Sequence, residues 1–308
     1  MKNTPLREDR HVISAKAPAT LSNLAVGFDM LGVAISGLHD TVTLRKRDDA
    51  LLVITTIDSP QTLPTDNNKN TATIALQSVL ESLAMPVGFD IDIHKGIPPG
   101  SGMGSSAASA VAALTAFNGF LLDPLSLEQL QPHAANAEAA LCGTAHCDNV
   151  APCLWGGLVL CHDDSIMRLP CPEGLLLITK PDISITTKAA RACLPNQVTL
   201  SQGIDYARHL GCWLQALHTG DSVTAARHMV DHIIEPSRAD LWPLYQPIKN
   251  IAQKTGALAT CMSGSGPAVM SWVTESTQEA VQTAIQRYCD SQPWDSLFVL
   301  SPWSAPGA

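Results

Sequence analysis

Residues 95–106 have the sequence Lys95-Gly96-Ile97-Pro98-Pro99-Gly100-Ser101-Gly102-Met103-Gly104-Ser105-Ser106, with glycines at three alternate positions. Apolar and polar side chains alternate over residues 89–94 just before this segment, which predicts a half-buried strand. The Ala-rich residues 107–117 after it predict a helix. Glycines between a strand and a helix let the backbone approach a ligand closely, and the helix N-terminus adds partial positive charge. The segment is therefore typical of a phosphate-binding loop.

Two common phosphate-binding signatures do not match this segment. No Gly-Lys-Ser or Gly-Lys-Thr occurs in the chain, so the P-loop pattern is excluded. Ser105 stands where the dinucleotide-binding pattern requires its third glycine. For this segment taken alone, a simple Gly/Ser turn remains an alternative to phosphate binding.

Composition limits the classes of partner. The 308 residues are 45% hydrophobic and 15% charged, which is typical of a well-buried globular protein. A net charge of −9 without a local Lys/Arg cluster argues against a nucleic-acid partner. Residues 96–122 carry no charge but are mostly Ala, Ser and Gly, so we expect a buried helix there and no membrane partner.

The cysteines and the first residues predict a cytoplasmic protein. Nine cysteines are present and no Cys-x-x-Cys occurs, which favours reduced thiols. Charged side chains at residues 7–10 stand where a signal peptide would need an apolar core.

The order of predicted elements indicates an α+β fold. Strands and helices mix without regular βα alternation, which favours two lobes over a doubly wound sheet. We expect a first domain over residues 1–163 and a second over residues 164–308. Residues 17–29 and 146–149 are predicted to be loops, and residues 223–233 a helix.

Several polar residues are candidates for a site in the first domain. Asn23 and Asp29 lie six residues apart around Gly27, and an ordinary turn explains them equally well. Glu138 stands in an Ala-rich helix, facing either solvent or a cleft. Together with the Ser106 hydroxyl, its carboxylate would suffice to hold Mg²⁺ beside phosphate oxygens.

Other candidates come later in the chain. The segment His146-Cys147-Asp148-Asn149 holds an acid/base pair and an amide, although a capped turn is the simpler interpretation. Thr187 stands one helical turn before Arg191, and Arg238 lies in an apolar stretch. Two arginines with few acids nearby suit a carboxylate or phosphate clamp, whereas surface ion pairing is the commoner role of any single arginine.

Together, three motifs resemble those of the GHMP small-molecule kinases in order and spacing. They are Pro18-x4-Asn23 with Gly27-Phe28-Asp29, then residues 99–107, then Ser263-Gly264-Ser265-Gly266-Pro267. Within that family, the segments around His146, Arg191 and Arg238 look like the bacterial homoserine kinase branch. The resemblance implies a first lobe like the second domain of ribosomal protein S5, a ferredoxin-like second lobe, and ATP bound between them. A homodimer is expected from the resemblance alone.

The resemblance also implies roles for individual residues. Ser106 and Glu138 would hold Mg²⁺, with Ser106, Asp148 and Asn149 nearest the chemistry. The residues expected to contact ATP are Asn70, Pro99, Gly100, Ser101, Gly102, Met103, Gly104, Ser105, Ser106, Gly264 and Gly266. Those expected around homoserine are Asn23, Asp29, His146, Asn149, Thr187, Arg191 and Arg238.

Homoserine suits these residues chemically. Its carboxylate matches the guanidinium groups of Arg191 and Arg238, and its ammonium matches Asp29. Phosphoryl transfer needs mainly alignment and charge neutralisation, so the prediction favours transfer without a dedicated base, although Asp148 is the one carboxylate of its segment. The alternatives are a kinase for another alcohol, such as mevalonate or a sugar, and a non-catalytic sensor of the same fold.

Overall fold

In the computed structural model, residues 6–142, 147–162 and 165–308 are described. They form two sheets. The strands of the first are β1 (Val12–Asn23), β2 (Gly27–Arg47), β3 (Leu52–Asp58), β4 (Gly88–Lys95), β5 (Leu158–His162) and β6 (Ser165–Arg168). Those of the second are β7 (Leu175–Pro181), β8 (Ala259–Met262), β9 (Val269–Val273) and β10 (Ser296–Pro302).

We use "first lobe" for the elements up to β6 and "second lobe" for those that follow it in the chain. The first lobe has α1 (Thr71–Ser82), α2 (Ser105–Asn118), α3 (Leu127–Cys142) and α4 (Cys147–Trp155). The second has α5 (Thr187–Ala192), α6 (Leu200–Thr219), α7 (Ser222–His228), α8 (Ile234–Ser237), α9 (Tyr245–Lys254) and α10 (Gln278–Asp290). None of the described helices is both long and apolar enough to cross a membrane.

The first sheet has the order β3-β4-β2-β5-β6, with β1 paired to β2. Only β3 and β4 are parallel; the other pairs are antiparallel. The second sheet has the antiparallel order β10-β7-β9-β8. The predicted α+β class is therefore confirmed.

Helix α2 occupies the centre of the first lobe. Eleven of its fourteen residues are buried, among them Ala107, Ala110 and Leu114. The helix contacts α1, α3, α4 and strands β1 and β2. Its small side chains allow this close packing on several sides, which explains why the uncharged segment is a core helix. The position of α2 fixes the glycine-rich loop that precedes it.

Three local predictions were wrong. Residues 17–29 are mostly strand, because β1 and β2 form a long hairpin whose turn is only residues 24–26. Asp148 and Asn149 lie in the first turn of α4 rather than in a loop. The helix predicted over residues 223–233 ends at His228, and Asp231 then accepts three backbone N–H bonds at the start of α8. Such local capping competes with helix continuation.

The domain boundary predicted near residue 163 falls outside the described residues and stays a prediction. Strand β6, which follows it, still pairs with the first sheet.

Candidate functional site

A cavity of about 400 Å³ lies between the glycine-rich loop and the second lobe. Nearly all the predicted site residues in the described part of the chain line it; Met103 and Gly266 do not. Met103 is instead fully buried beneath the loop, where its backbone oxygen accepts a bond from Thr20 N at 3.1 Å. His146 lies outside the described residues.

The glycines of the loop are required by backbone conformation. Gly100, Gly102 and Gly104 have φ values of 67°, 77° and 66°, in the left-handed region that favours glycine. A Cβ on Gly104 would lie 2.0 Å from the Thr20 hydroxyl, and one on Gly102 would lie 2.7 Å from the Ser263 backbone oxygen. Helix α2 begins directly after Gly104, so its N-terminal N–H groups face the cavity region.

The second lobe closes onto this loop through residues 263–268. The Ser263 hydroxyl donates to the Gly102 oxygen at 2.6 Å, and Ala268 N donates to the Ser101 oxygen at 3.0 Å. Gly264 N donates to the Ser22 oxygen at 3.2 Å. The third sequence motif therefore contacts the second one directly.

Ser106 and Glu138, which are 32 residues apart in sequence, meet at the cavity. The Ser106 hydroxyl donates to Glu138 Oε2 at 2.9 Å. Thr71 positions this part of α2, since its hydroxyl donates to the Ser106 backbone oxygen at 2.9 Å. A hydroxyl and a carboxylate oxygen at this separation are hard donors of the kind that Mg²⁺ takes from proteins.

Asn70, expected near the nucleotide, also has a local role. Its side chain caps α1 by accepting from Ala72 N at 3.0 Å and donates to the Pro64 oxygen at 3.1 Å. It is therefore held rigidly at the cavity wall.

A buried ion pair beneath the glycine-rich loop was not predicted. The Lys95 ammonium donates to the Asp40 carboxylate, to the Ser105 oxygen at 2.8 Å and to the Ser109 hydroxyl at 2.7 Å. Asp40 also accepts from Ile97 N at 3.1 Å. Burial lowers the pKa of Lys95, and Asp40 opposes this shift. The only sequence signal was a lysine ending an otherwise alternating strand.

Cationic and anionic groups meet at the other end of the cavity. Arg191 Nη1 and Nη2 donate to the two Asp29 carboxylate oxygens at 3.2 and 2.9 Å. The Arg191 and Arg238 guanidinium carbons lie 5.7 and 5.5 Å from the centre of the Phe28 ring. Burial lowers the pKa of Arg238, and the neighbouring Arg191 lowers it further. Both guanidinium groups line this end of the cavity, and guanidinium N–H groups are well suited to bind an anion.

Arg238 and Asn23 both also support the loop of residues 263–267. Arg238 Nη1 donates to the Gly264 oxygen at 2.7 Å, and Asn23 Nδ2 donates to the same oxygen at 3.0 Å. Asn23 Oδ1 accepts from Asp29 N at 3.0 Å. Thr187, by contrast, is exposed at the start of α5, where Thr186 is the capping residue.

Asp148 and Asn149 lie between the two ends of the cavity. Asn149 Nδ2 donates to Ser22 Oγ at 3.2 Å, and its Oδ1 accepts from the Thr20 hydroxyl at 2.8 Å. Burial raises the pKa of Asp148 to about 7, and the nearby Asp29 charge adds to this shift. Asp148 can therefore exchange a proton near neutral pH.

Comparisons with known proteins identify the family of the chain. Residues 70–157 match the family described as GHMP kinases N terminal domain, and residues 213–291 match GHMP kinases C terminal. A homoserine kinase of Xanthomonas campestris pv. campestris is 38% identical over 98% of this chain and 94% of its own.

Two solved structures show the extent of the likeness. A crystal structure of homoserine kinase from Cytophaga hutchinsonii is 37% identical, covers 99% of both chains and has a TM-score of 0.92. A crystal structure of L. major mevalonate kinase in complex with R-mevalonate covers 99% of this chain and 100% of its own, with a TM-score of 0.71 at 16% identity, which shows a shared fold alone.

Proposed function

Because the chain belongs to the GHMP kinase family, we propose that it transfers the γ-phosphoryl group of ATP to the side-chain hydroxyl of L-homoserine, a step of threonine biosynthesis. The main observation behind this proposal is that one cavity is lined by the glycine-rich loop, by the Ser106–Glu138 pair and by the cluster of Asp29, Arg191 and Arg238. The near full-length likeness to homoserine kinases supports the choice of substrate.

The phosphates of ATP bind at the glycine-rich loop. The left-handed glycines keep side chains away from the loop surface, and the N-terminus of α2 contributes partial positive charge. Lys95 lies under the loop with its charge matched by Asp40, so its main role is to hold residues 95–109 in shape. Asn70 contributes a rigid wall nearby.

Mg²⁺ suits the Ser106–Glu138 pair. The two side-chain oxygens already lie 2.9 Å apart, and the remaining positions around the ion are available to phosphate oxygens and water. When bound, the ion neutralises charge on the transferring phosphoryl group.

The Asp29–Arg191–Arg238 cluster binds the two charged groups of homoserine. The carboxylate lies against Arg191 and Arg238, and the ammonium lies against Asp29. Arg191 Nε is buried and has no hydrogen-bond partner in the described part of the chain, so the guanidinium has a donor to spare. Asn23 holds the backbone of Asp29 in place, and Thr187 lies at the open rim.

Asn149 orients the hydroxyl of homoserine. Asp148 is the group that accepts its proton, which departs from the sequence-based prediction of transfer without a dedicated base. A carboxyl group whose pKa is about 7 is suited to take a proton at neutral pH. Direct transfer of this proton to a phosphate oxygen is the competing route.

A substrate panel tests the proposal. ATP consumption is measured with homoserine, mevalonate, galactose and threonine at equal concentrations, and phosphohomoserine is identified by mass. The proposal requires homoserine to have the highest kcat/KM. Turnover of mevalonate or galactose above that of homoserine would overturn the substrate assignment, and no turnover with any of them would favour a sensor.

The homodimer and the cytoplasmic location implied by the resemblance and by the cysteines stay predictions. Analytical ultracentrifugation of the purified chain tests the first, and cell fractionation tests the second.

A further inference from the structure

A cluster of imidazoles lies in the second lobe, apart from the cavity. Asp205 and His209 stand one turn apart on α6, and His232 follows α7. His209 Nε2 and His232 Nε2 each lie 3.9 Å from the same oxygen, Asp205 Oδ2. One ligating atom from each of the three residues lies within 4.8 Å of the others. At 3.9 Å these groups do not hydrogen-bond each other, although they converge on one point.

A fourth residue orients the cluster. His228 Nδ1 lies 3.3 Å from His209 Nδ1, so one ring nitrogen must donate and the other must accept. When His209 Nδ1 donates, its Nε2 carries a lone pair that faces the Asp205 carboxylate. A lone pair and a carboxylate that face each other are stabilised by a cation between them. This His228–His209 contact is of the kind found at metal sites, where the ring nitrogen of a histidine that does not bind the metal donates to a neighbouring group.

We propose that Asp205, His209 and His232 bind one divalent transition-metal ion of the Zn²⁺ class, with His228 as the positioning residue. Two imidazole nitrogens and one carboxylate oxygen are a common zinc donor set, with water in the fourth position. Tetrahedral bonds of about 2.0 Å place neighbouring ligand atoms about 3.3 Å apart. The two separations of 3.9 Å must therefore shorten by about 0.6 Å, and the separation between the two histidine ligand atoms, which is at most 4.8 Å, by up to about 1.5 Å. The His232 side chain is 59% exposed and can make this movement.

The donor set also separates this site from the Ser106–Glu138 pair. Mg²⁺ prefers oxygen ligands and is a poor match for imidazoles, whereas Zn²⁺ accepts both. We therefore expect the two sites to select different ions.

The ion would join two elements that approach the substrate end of the cavity. Next to Asp205, the Tyr206 hydroxyl accepts a bond from Phe28 N at 2.6 Å. Next to His232, Asp231 caps the short helix that leads to Arg238. Binding would restrain α6 against this segment, so its first consequence is a more stable second lobe.

The experiment titrates Zn²⁺ into the untagged full-length chain after chelator treatment, with excess Mg²⁺ present. Calorimetry should give one Zn²⁺ per chain, and thermal unfolding should shift upward with Zn²⁺. Co²⁺ in place of Zn²⁺ should give visible absorption typical of a four-coordinate nitrogen/oxygen site. His232→Ala should abolish this binding, and His228→Asn should weaken it by about 10- to 100-fold.

Matched variants exclude other sources of binding. His218→Ala removes an exposed histidine near the end of the same helix and should leave the titration unchanged. Cys212→Ser removes an exposed thiol of α6 and should also leave it unchanged. Circular dichroism checks that each variant is folded. Absence of saturable binding in the wild type, or equal binding in wild type and His232→Ala, would overturn the proposal.

Discussion

Arg191 of the second lobe donates two hydrogen bonds, 2.9 and 3.2 Å long, to the carboxylate of Asp29 in the first lobe. The two groups proposed to bind opposite ends of a zwitterion therefore neutralise each other in this structure. When homoserine binds, it must break or share the ion pair between Asp29 and Arg191. Its ammonium then replaces Arg191 as the partner of Asp29, and its carboxylate replaces Asp29 as the partner of Arg191. A ligand with only one of these charges would leave one residue less well matched.

Arg191→Leu is a cleaner test of the carboxylate clamp than a change at Arg238, which also bonds the Gly264 oxygen. The site is partly exposed, so we expect a loss of about 2 kcal/mol, or roughly 30-fold in kcat/KM for homoserine. The loss should appear mainly in KM, with ATP binding little changed, because the contact is the same in ground and transition states. Steady-state kinetics with each substrate varied measures both effects.

Two controls accompany that variant. Arg227→Leu removes an exposed arginine of α7 and should leave KM unchanged. Homoserine methyl ester should have a low kcat/KM with the wild type. Arg191→Leu should lower this kcat/KM little further. Equal turnover of ester and free acid by the wild type would contradict the clamp.

Glu138→Gln tests the metal site at nearly constant size. The charge that attracts Mg²⁺ is lost while a hydrogen bond to Ser106 remains possible. We expect kcat to fall by about two orders of magnitude and the Mg²⁺ concentration at half-maximal rate to rise. Near-normal turnover at ordinary Mg²⁺ would show that Glu138 has no part in the chemistry.

Gly102→Ala tests how the glycine-rich loop fits the second lobe. The new Cβ would lie 2.7 and 2.8 Å from the backbone oxygens of Ser263 and Gly266, at a φ of 77°. Loop and lobe must move apart, so ATP affinity should fall more than homoserine affinity, with a lower Tm. Gly211→Ala is the matched control, since its Cβ meets nothing within 4 Å on α6 and should stabilise the helix by up to about 1 kcal/mol. Equal losses of both affinities would indicate a purely structural turn.

Asp148→Asn should lower activity and raise stability. The folded-state pKa of Asp148 is about 7, above the ordinary 3.8, so the folded chain retains a proton that the unfolded chain releases. The stability that the folded chain gains by keeping Asp148 protonated is fully present below about pH 4. It is lost as the pH rises through about 7. The variant should therefore gain stability relative to wild type on the order of 4 kcal/mol above pH 7, and little at pH 4.

The same variant tests proton transfer. If Asp148 accepts the proton, wild-type kcat/KM should fall as the pH drops below about 7, and Asp148→Asn should lack this limb. Chemical denaturation across pH measures the stability, and a pH–rate profile measures the chemistry. An unchanged profile in the variant would favour direct transfer to a phosphate oxygen.

If Lys95 and Asp40 form a buried ion pair, replacing one of them should lower the free energy of unfolding much more than replacing both. Lys95→Met leaves the buried Asp40 carboxylate without its charged partner and should cost about 3–5 kcal/mol. Adding Asp40→Asn should recover much of this stability, because no buried charge then remains. Urea unfolding of the two single variants and the double variant measures the coupling; additive losses would contradict a buried ion pair.

Much of the fold and the site followed from local sequence. The alternating pattern before Lys95, the three glycines and the Ala-rich run predicted the strand, loop and helix, because side-chain period and glycine conformation act over a few residues. The strand is β4 and the helix is α2, each within two residues of the predicted limits. The order of the three motifs along the chain likewise indicated the family, because motif order can be compared without knowing any distance in the folded protein.

Tertiary structure decided what no local pattern contains. The Ser106–Glu138, Lys95–Asp40 and Asp29–Arg191 pairs join residues 32, 55 and 162 positions apart. The burial that raises the pKa of Asp148 comes from packing, as does the convergence of His209 and His232 on one Asp205 oxygen. Sequence patterns report preferences along the chain, whereas desolvation and charge pairing depend on which distant segments the folded core brings together.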